Sequence, residues 1–181
     1  MKYFTKEIWR GHNSRSKSDW AYEQSELNMR EYARQLEELK PRLTEETYCF
    51  FTMESLHDGR LLAFTAGDRI DFDVQGPDRF DINAHNTSAQ MRVLGANLDA
   101  LYTLRYAGVR RALFDYPTDD PLFHEEGRHI GDWGYDELTD AGGGYLRHEV
   151  LFASGTTVLI EFRNFSYERE EREGARYIQN P

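Results

Sequence analysis

Residues 145–165 read Tyr-Leu-Arg-His-Glu-Val-Leu-Phe-Ala-Ser-Gly-Thr-Thr-Val-Leu-Ile-Glu-Phe-Arg-Asn-Phe. Two apolar runs rich in Val, Leu, Ile and Phe flank a Ser154-Gly155 turn, the pattern of an antiparallel hairpin with strands over 145–153 and 156–165. Working back from it, 140–144 is a second turn and 133–138 the strand before that turn. Further strands are expected over 110–116, ended by Pro117, within 98–109, and over 60–65 before a turn at Ala66-Gly67-Asp68. Ile70, Phe72 and Val74 alternate with Asp71, Asp73 and Gln75, the mark of a strand with one wet face. Phe80 and Ile82 suggest another short strand. Residues 117–132 read as a long acidic loop. The tail from Ser166, where Glu and Arg alternate, reads as a solvated helix end or a frayed terminus.

Upstream of the strands the apolar spacing is helical. Met1 to Trp9 reads as a short strand and Gly11-His12-Asn13-Ser14 as a loop. Ser18 or Asp19 is placed to cap a helix running to Leu39, with Tyr22, Met29, Tyr32, Leu36 and Leu39 on one face and Leu43 continuing the spacing. Pro41 interrupts it. Thr44 caps a second helix reaching Ser55, with Glu45 and Glu46 against its N-terminal dipole. The expected fold is α+β: two N-terminal helices packed on a mostly antiparallel sheet of about seven to nine strands. One domain is expected over 1–181, with a strand and helical part (1–56), a sheet part (57–165) and a charged tail (166–181).

The chain has 181 residues and a formal net charge of −10. Residues 115–140 carry nine acidic side chains against one basic, so most of the imbalance sits in that stretch. Such a balance argues against nucleic acid and anionic membrane as partners and favours a basic protein. No apolar run is long enough to cross a bilayer and the opening has no signal-peptide pattern, so a cytoplasmic location is expected. Cys49, the single cysteine, is expected to be a buried, inert thiol. Oligomeric state is not readable from these features.

Familiar catalytic motifs fail on spacing. His124 and His129 lie five apart, which turns the second imidazole about 140° from the first on a helix, against the zinc-protease requirement of four. Asp71 to Gly76 lacks the oxygen ligands of a calcium loop at its fifth and twelfth positions, Gln75 and Ile82. Gly142-Gly143-Gly144 leads into a strand rather than a helix, so it is a hairpin and not a phosphate loop. No cofactor and no metal site is implied.

Two groups of residues remain as candidate binding positions. His57 and Asp58 stand at the helix-to-strand junction, where they either tie helix to sheet or line a site. Trp133, Tyr135, Asp136 and Glu137 face His148 and Glu149 if the strands over 133–138 and 145–153 pair. Strand alternation puts Tyr135 and Glu137 on one face and Asp136 on the other, so they cannot all converge. The favoured function is a non-enzymatic binding or protein-interaction module with an acidic surface at 115–140. The alternative is a small enzyme or metal-dependent binder using the His, Asp and Glu side chains.

The opening Met1-Lys2-Tyr3-Phe4-Thr5-Lys6-Glu7 and the step Leu56-His57-Asp58 resemble a bacterial family that is a domain of unknown function. The final hairpin, with Leu146-Arg147-His148-Glu149-Val150-Leu151-Phe152 and Ile160-Glu161-Phe162, is similar to that of small bacterial immunity proteins that neutralise secreted toxins. The resemblance implies a bacterial, cytoplasmic, single-domain protein and leaves its function open. It brings no catalytic residues.

Overall fold

A computed structural model of the chain describes residues 1–12, 14, 16–68, 87–116 and 130–172. Among these the protein is α+β, with three α-helices and eight strands: α1 (Lys6–His12), α2 (Ser18–Leu39), α3 (Glu45–Met53), β1 (Arg60–Asp68), β2 (Thr87–Leu94), β3 (Ala100–Ala107), β4 (Arg111–Asp115), β5 (Trp133–Gly142), β6 (Tyr145–Phe152), β7 (Thr157–Phe162) and β8 (Asn164–Glu171). No helix among the described residues is long and apolar enough to cross a membrane. The strands expected at Ile70–Val74 and Phe80–Ile82, residues 117–129 of the expected loop with its His124 and His129, and the last nine residues lie outside the described part.

The strands form two antiparallel sheets rather than the single sheet expected. Their orders are β1-β2-β3-β8 and β4-β7-β6-β5. The reason is a shared corner. The run expected as one strand over 156–165 divides at Arg163 into β7 and β8, and β3 passes into β4 through Gly108. The ladder pairs Ala107 with Asn164 in one sheet and Arg111 with Glu161 in the other, so both strands bend at the same level. Gly108 takes φ +63° there, and a Cβ on it would meet the Arg163 Cβ at 3.2 Å. At the far end Arg60 bridges to Asp132, while the Asp58 N–H donates to Trp133 O (2.8 Å) and the Trp133 N–H to Gly59 O (2.7 Å). Met91, Val93, Leu104, Val150, Ile160 and Phe162 fill the space between the sheets, closed by Phe50 and Phe51 of α3 and by Leu36 and Leu39 of α2.

Other elements depart from expectation for identifiable reasons. The strand expected at Met1–Trp9 is a strap that bends at Tyr3 and Phe4, followed by α1. The backbone N–H groups of Lys2, Tyr3 (2.8 Å) and Phe4 (3.2 Å) all donate to the fully buried Glu137 carboxylate. Consecutive amides converging on one anion cannot alternate as a ladder requires. The Met1 ammonium donates to Glu149 at 2.8 Å. Helix α2 begins without a side-chain cap. Its Tyr22 and Met29 are exposed, because only the C-terminal half reaches the core; α1 packs on the N-terminal half at Ala21, with the His12 ring edge-on to Tyr22. Thr44 caps α3 by accepting the Thr47 N–H at 3.1 Å, as expected. Cys49 is exposed, not buried: Thr47, Phe50 and Phe51 form the inward face of α3. Strand β2 had no counterpart in the sequence reading; its buried Ala89 and Met91 are weak strand formers. Strand β8 replaces the expected helix end or frayed tail, with Phe165 inside and its later charges suited to a sheet edge.

On the outer face of the second sheet, Arg110 and Arg147 both donate to Glu161, at 2.7 Å each at closest approach. Burial raises the Glu161 carboxyl, but the two guanidiniums outweigh it and hold the group below its ordinary 4.5. A carboxyl depressed in this way stabilises the fold above its unfolded pKa and loses that contribution as pH falls through the folded value. Glu161→Gln is therefore expected to be less stable than the parent near neutral pH, with the gap closing below pH 4.5; urea melts at several pH values check it. Glu137→Gln, which removes the charge under the strap, is expected to cost about 1.5–3 kcal/mol in the same measurement.

Candidate functional site

Strand β5 is an edge strand, and its edge shapes a cleft. The Gly134 carbonyl accepts from His57 Nδ1 at 2.6 Å, and the Leu138 N–H donates to the Tyr32 hydroxyl at 2.9 Å. Alternation turns the Asp136 backbone to the same edge. Gly134 lets the Trp9 ring approach, since a Cβ there would meet that ring at 3.1 Å. Trp9 in turn stands edge-on to Tyr135, which stacks on Phe4 and His57. The cleft holds about 410 Å³ and is lined by His57, Tyr135 and Asp136 together with Tyr32, Glu54 and rings that include Phe4 and Phe51.

Behind Asp136 runs a buried polar chain. The Trp133 indole N–H donates to Asp136 Oδ1 at 2.9 Å, and His148 Nε2 lies 3.3 Å from Asp136 Oδ2. His148 Nδ1 is 2.7 Å from the Tyr106 hydroxyl. Burial, then the Asp136 carboxylate, raises the Tyr106 pKa well above its ordinary value, so this hydroxyl keeps its proton. His148 thus has a polar partner at each ring nitrogen, Tyr106 at Nδ1 and Asp136 at Nε2. Tyr106 and His148 are at most 1% exposed, whereas the Asp136 side chain is 27% exposed. The chain thus links the interior to the cleft through one carboxylate. An Asp–His pair is acid–base chemistry in outline, but here the imidazole is sealed from any substrate.

The candidate residues therefore divide by face, as alternation requires. Trp133, Asp136 and His148 converge on the inner side. Glu137 and Glu149, cross-strand partners, lie on the outer side and hold the strap. His57 is half exposed at the cleft, its Nε2 3.7 Å from Asp58. Asp58 points its carboxylate to solvent and acts through its backbone, at φ +62°, in the junction to β5. Tyr106, Glu54 and Tyr32 were not foreseen. In sequence Tyr106 is one more large residue in an apolar strand, and nothing local marks it as the partner of His148.

The described acids of 115–140 do not share one surface. Asp132 pairs with Arg60 (3.3 Å) and Asp140 with Arg42 (2.8 Å), and Glu137 is buried. Among the described acids of that stretch, Asp136 faces the cleft and Asp115 is exposed on β4. Two roomier clefts suit a ligand less. One of about 550 Å³ is lined by Arg42, Arg147 and Met1, whose charges are already paired with Asp140, Glu161 and Glu149. The other, about 720 Å³ over β1, β2, β3 and β8, contains none of the candidate residues. No group of three His, Cys, Asp or Glu among the described residues is arranged to hold a metal.

In comparisons with known proteins, no family model, curated protein or solved structure matches the chain. Tyr106→Phe strips the buried imidazole of its hydrogen-bond partner at Nδ1 and is expected to lower the unfolding free energy by about 1–3 kcal/mol. Chemical denaturation measures it; a variant as stable as the parent would mean that His148 Nδ1 does not depend on Tyr106.

Proposed function

We propose that the protein is a non-enzymatic binding module that receives a cationic side chain, best an arginine, of a basic protein partner in the cleft at Asp136. The composition of the cleft carries this reading: Glu54 and Asp136 supply two carboxylates, aromatic rings supply stacking faces, and no lysine or arginine is among the lining residues. Among the described residues Asp136 meets an indole N–H and the His148 imidazole and pairs with no lysine or arginine. A guanidinium is planar, stacks on rings and bonds carboxylates through two N–H groups at once. The net charge of −10 adds long-range attraction for a basic surface, which speeds association and makes it sensitive to salt. An immunity-like role, in which the partner's basic surface is blocked, accords with this chemistry. The enzyme alternative has less support, because His148 and Tyr106 are sealed and only His57 and Asp136 of the candidate acid–base groups line the cleft.

The test is a titration with N-acetyl-arginine amide, read by NMR on backbone amides. Shifts centred on 134–136 and His57 are expected, with binding weakened about tenfold in Asp136→Asn, equal affinity loss at high salt, and none for N-acetyl-glutamate. An arginine probe that moves no cleft resonance at millimolar concentration overturns the reading.

A further inference from the structure

Sheet edges expose unpaired backbone groups, and a folded chain covers, charges or distorts them. Of the four edges among the described strands, three are treated so. Helix α2 meets the β5 edge through Tyr32. On β8 the Tyr167 N–H is taken by Glu46, and residues 168–171 are all charged. Strand β1 slips register after Leu61 and is bridged to Asp132 at Arg60. Strand β4 is different. It pairs with β7 on one side and with no other described strand on the other. Leu113 and Phe114 at its middle are 44% and 42% exposed, and Tyr116 beyond it is 37% exposed. The Phe114 ring stacks on Phe64 of β1 at 6.0 Å, so a partly exposed aromatic pair adjoins the open edge.

The charges on this strand choose its partner. β4 reads Arg111-Ala112-Leu113-Phe114-Asp115. Arg111 and Asp115 are exposed and form no ion pair with one another or with any other of the described residues. Like charges at the two ends would repel any second copy. Opposite charges placed symmetrically about Leu113 do the reverse, because an antiparallel pairing centred on Leu113 brings Arg111 of each copy opposite Asp115 of the other. The same register sets Leu113 against its own counterpart and Ala112 against Phe114. A strand that is its own complement under a two-fold axis is the condition for an isologous interface.

We propose that β4 is a dimerisation edge, which pairs antiparallel with β4 of a second copy about Leu113 and joins the two β4-β7-β6-β5 sheets into one of eight strands. This surface is separate from the cleft at Asp136, and the two readings stand or fall independently. Light scattering on the intact chain is expected to give twice the monomer mass of 21.3 kDa, falling to the monomer on dilution. Arg111→Asp and Asp115→Arg each place like charges across the seam, so each alone is expected to be a monomer. Mixed in equal amounts they regain opposite charges at both ends and are expected to form a heterodimer. Leu113→Lys, which sets a lysine against its own copy at the axis, tests the same seam if either charge variant fails to fold. A parent that stays monomeric at millimolar concentration overturns the proposal. So does a dimer that survives both single charge reversals, which would place the contact elsewhere, for instance on the exposed Tyr22, Leu27 and Met29 of α2.

Discussion

An imidazole sealed between two sheets must have both nitrogens satisfied, and that requirement organises this protein. His148 on β6 reaches Tyr106 on β3 through one nitrogen and Asp136 on β5 through the other. The first contact spans the two sheets and the second spans the β5–β6 ladder. A buried polar atom left without a partner costs more than a made hydrogen bond returns, so the three side chains fix each other's positions. The aromatic residues around them follow: Phe51 of α3 packs edge-on against the imidazole, and Trp133 closes the chain with its indole N–H. Because Asp136 is the outer end of this chain, a negative charge is held at a defined point in an otherwise aromatic cleft.

The opposite face of β5 poses a second electrostatic problem and solves it with the start of the chain. Glu137 and Glu149 lie directly across the ladder from each other, which sets two like charges side by side. The strap answers with three backbone N–H groups on Glu137 and the Met1 ammonium on Glu149. Tyr3 and Phe4 then pack on Tyr32, and Phe4 on Tyr135, so the strap that neutralises one face also builds a wall of the cleft on the edge. Site and strap share β5, and the alternation of that strand separates their chemistries.

Much of the fold was legible because it is local. The 145–165 stretch revealed two strands and a turn, Thr44 announced a helix start, and the period-two pattern of β5 correctly kept Asp136 apart from Glu137. The failures also have physical causes. The sheet corner at Arg163 falls inside a run that looks like one strand, since a bend between sheets needs only a glycine opposite it and leaves the apolar pattern intact. The face of α2 was overextended because its 22 residues span about 33 Å, and nothing in helical spacing says how much of that length has something to dock against. Cys49 was placed inside because aromatic neighbours surround it in sequence, while the helix turns those neighbours inward and the thiol out.

By itself the sequence determined the α+β class, the helix and strand types wherever periodicity is strong, and which side chains of a strand share a face. These depend on residues a few positions apart, whose geometry the backbone sets. Only the tertiary structure decided that there are two sheets, that Glu137 anchors a strap 134 residues earlier, and that Tyr106 completes a chain to His148 42 residues away. It also decided that Glu137, from the stretch carrying most of the net charge, is buried and that Asp132 and Asp140 of the same stretch are paired with arginines. Such pairings depend on how finished elements dock, and a chain carries no local mark of a contact that only docking creates.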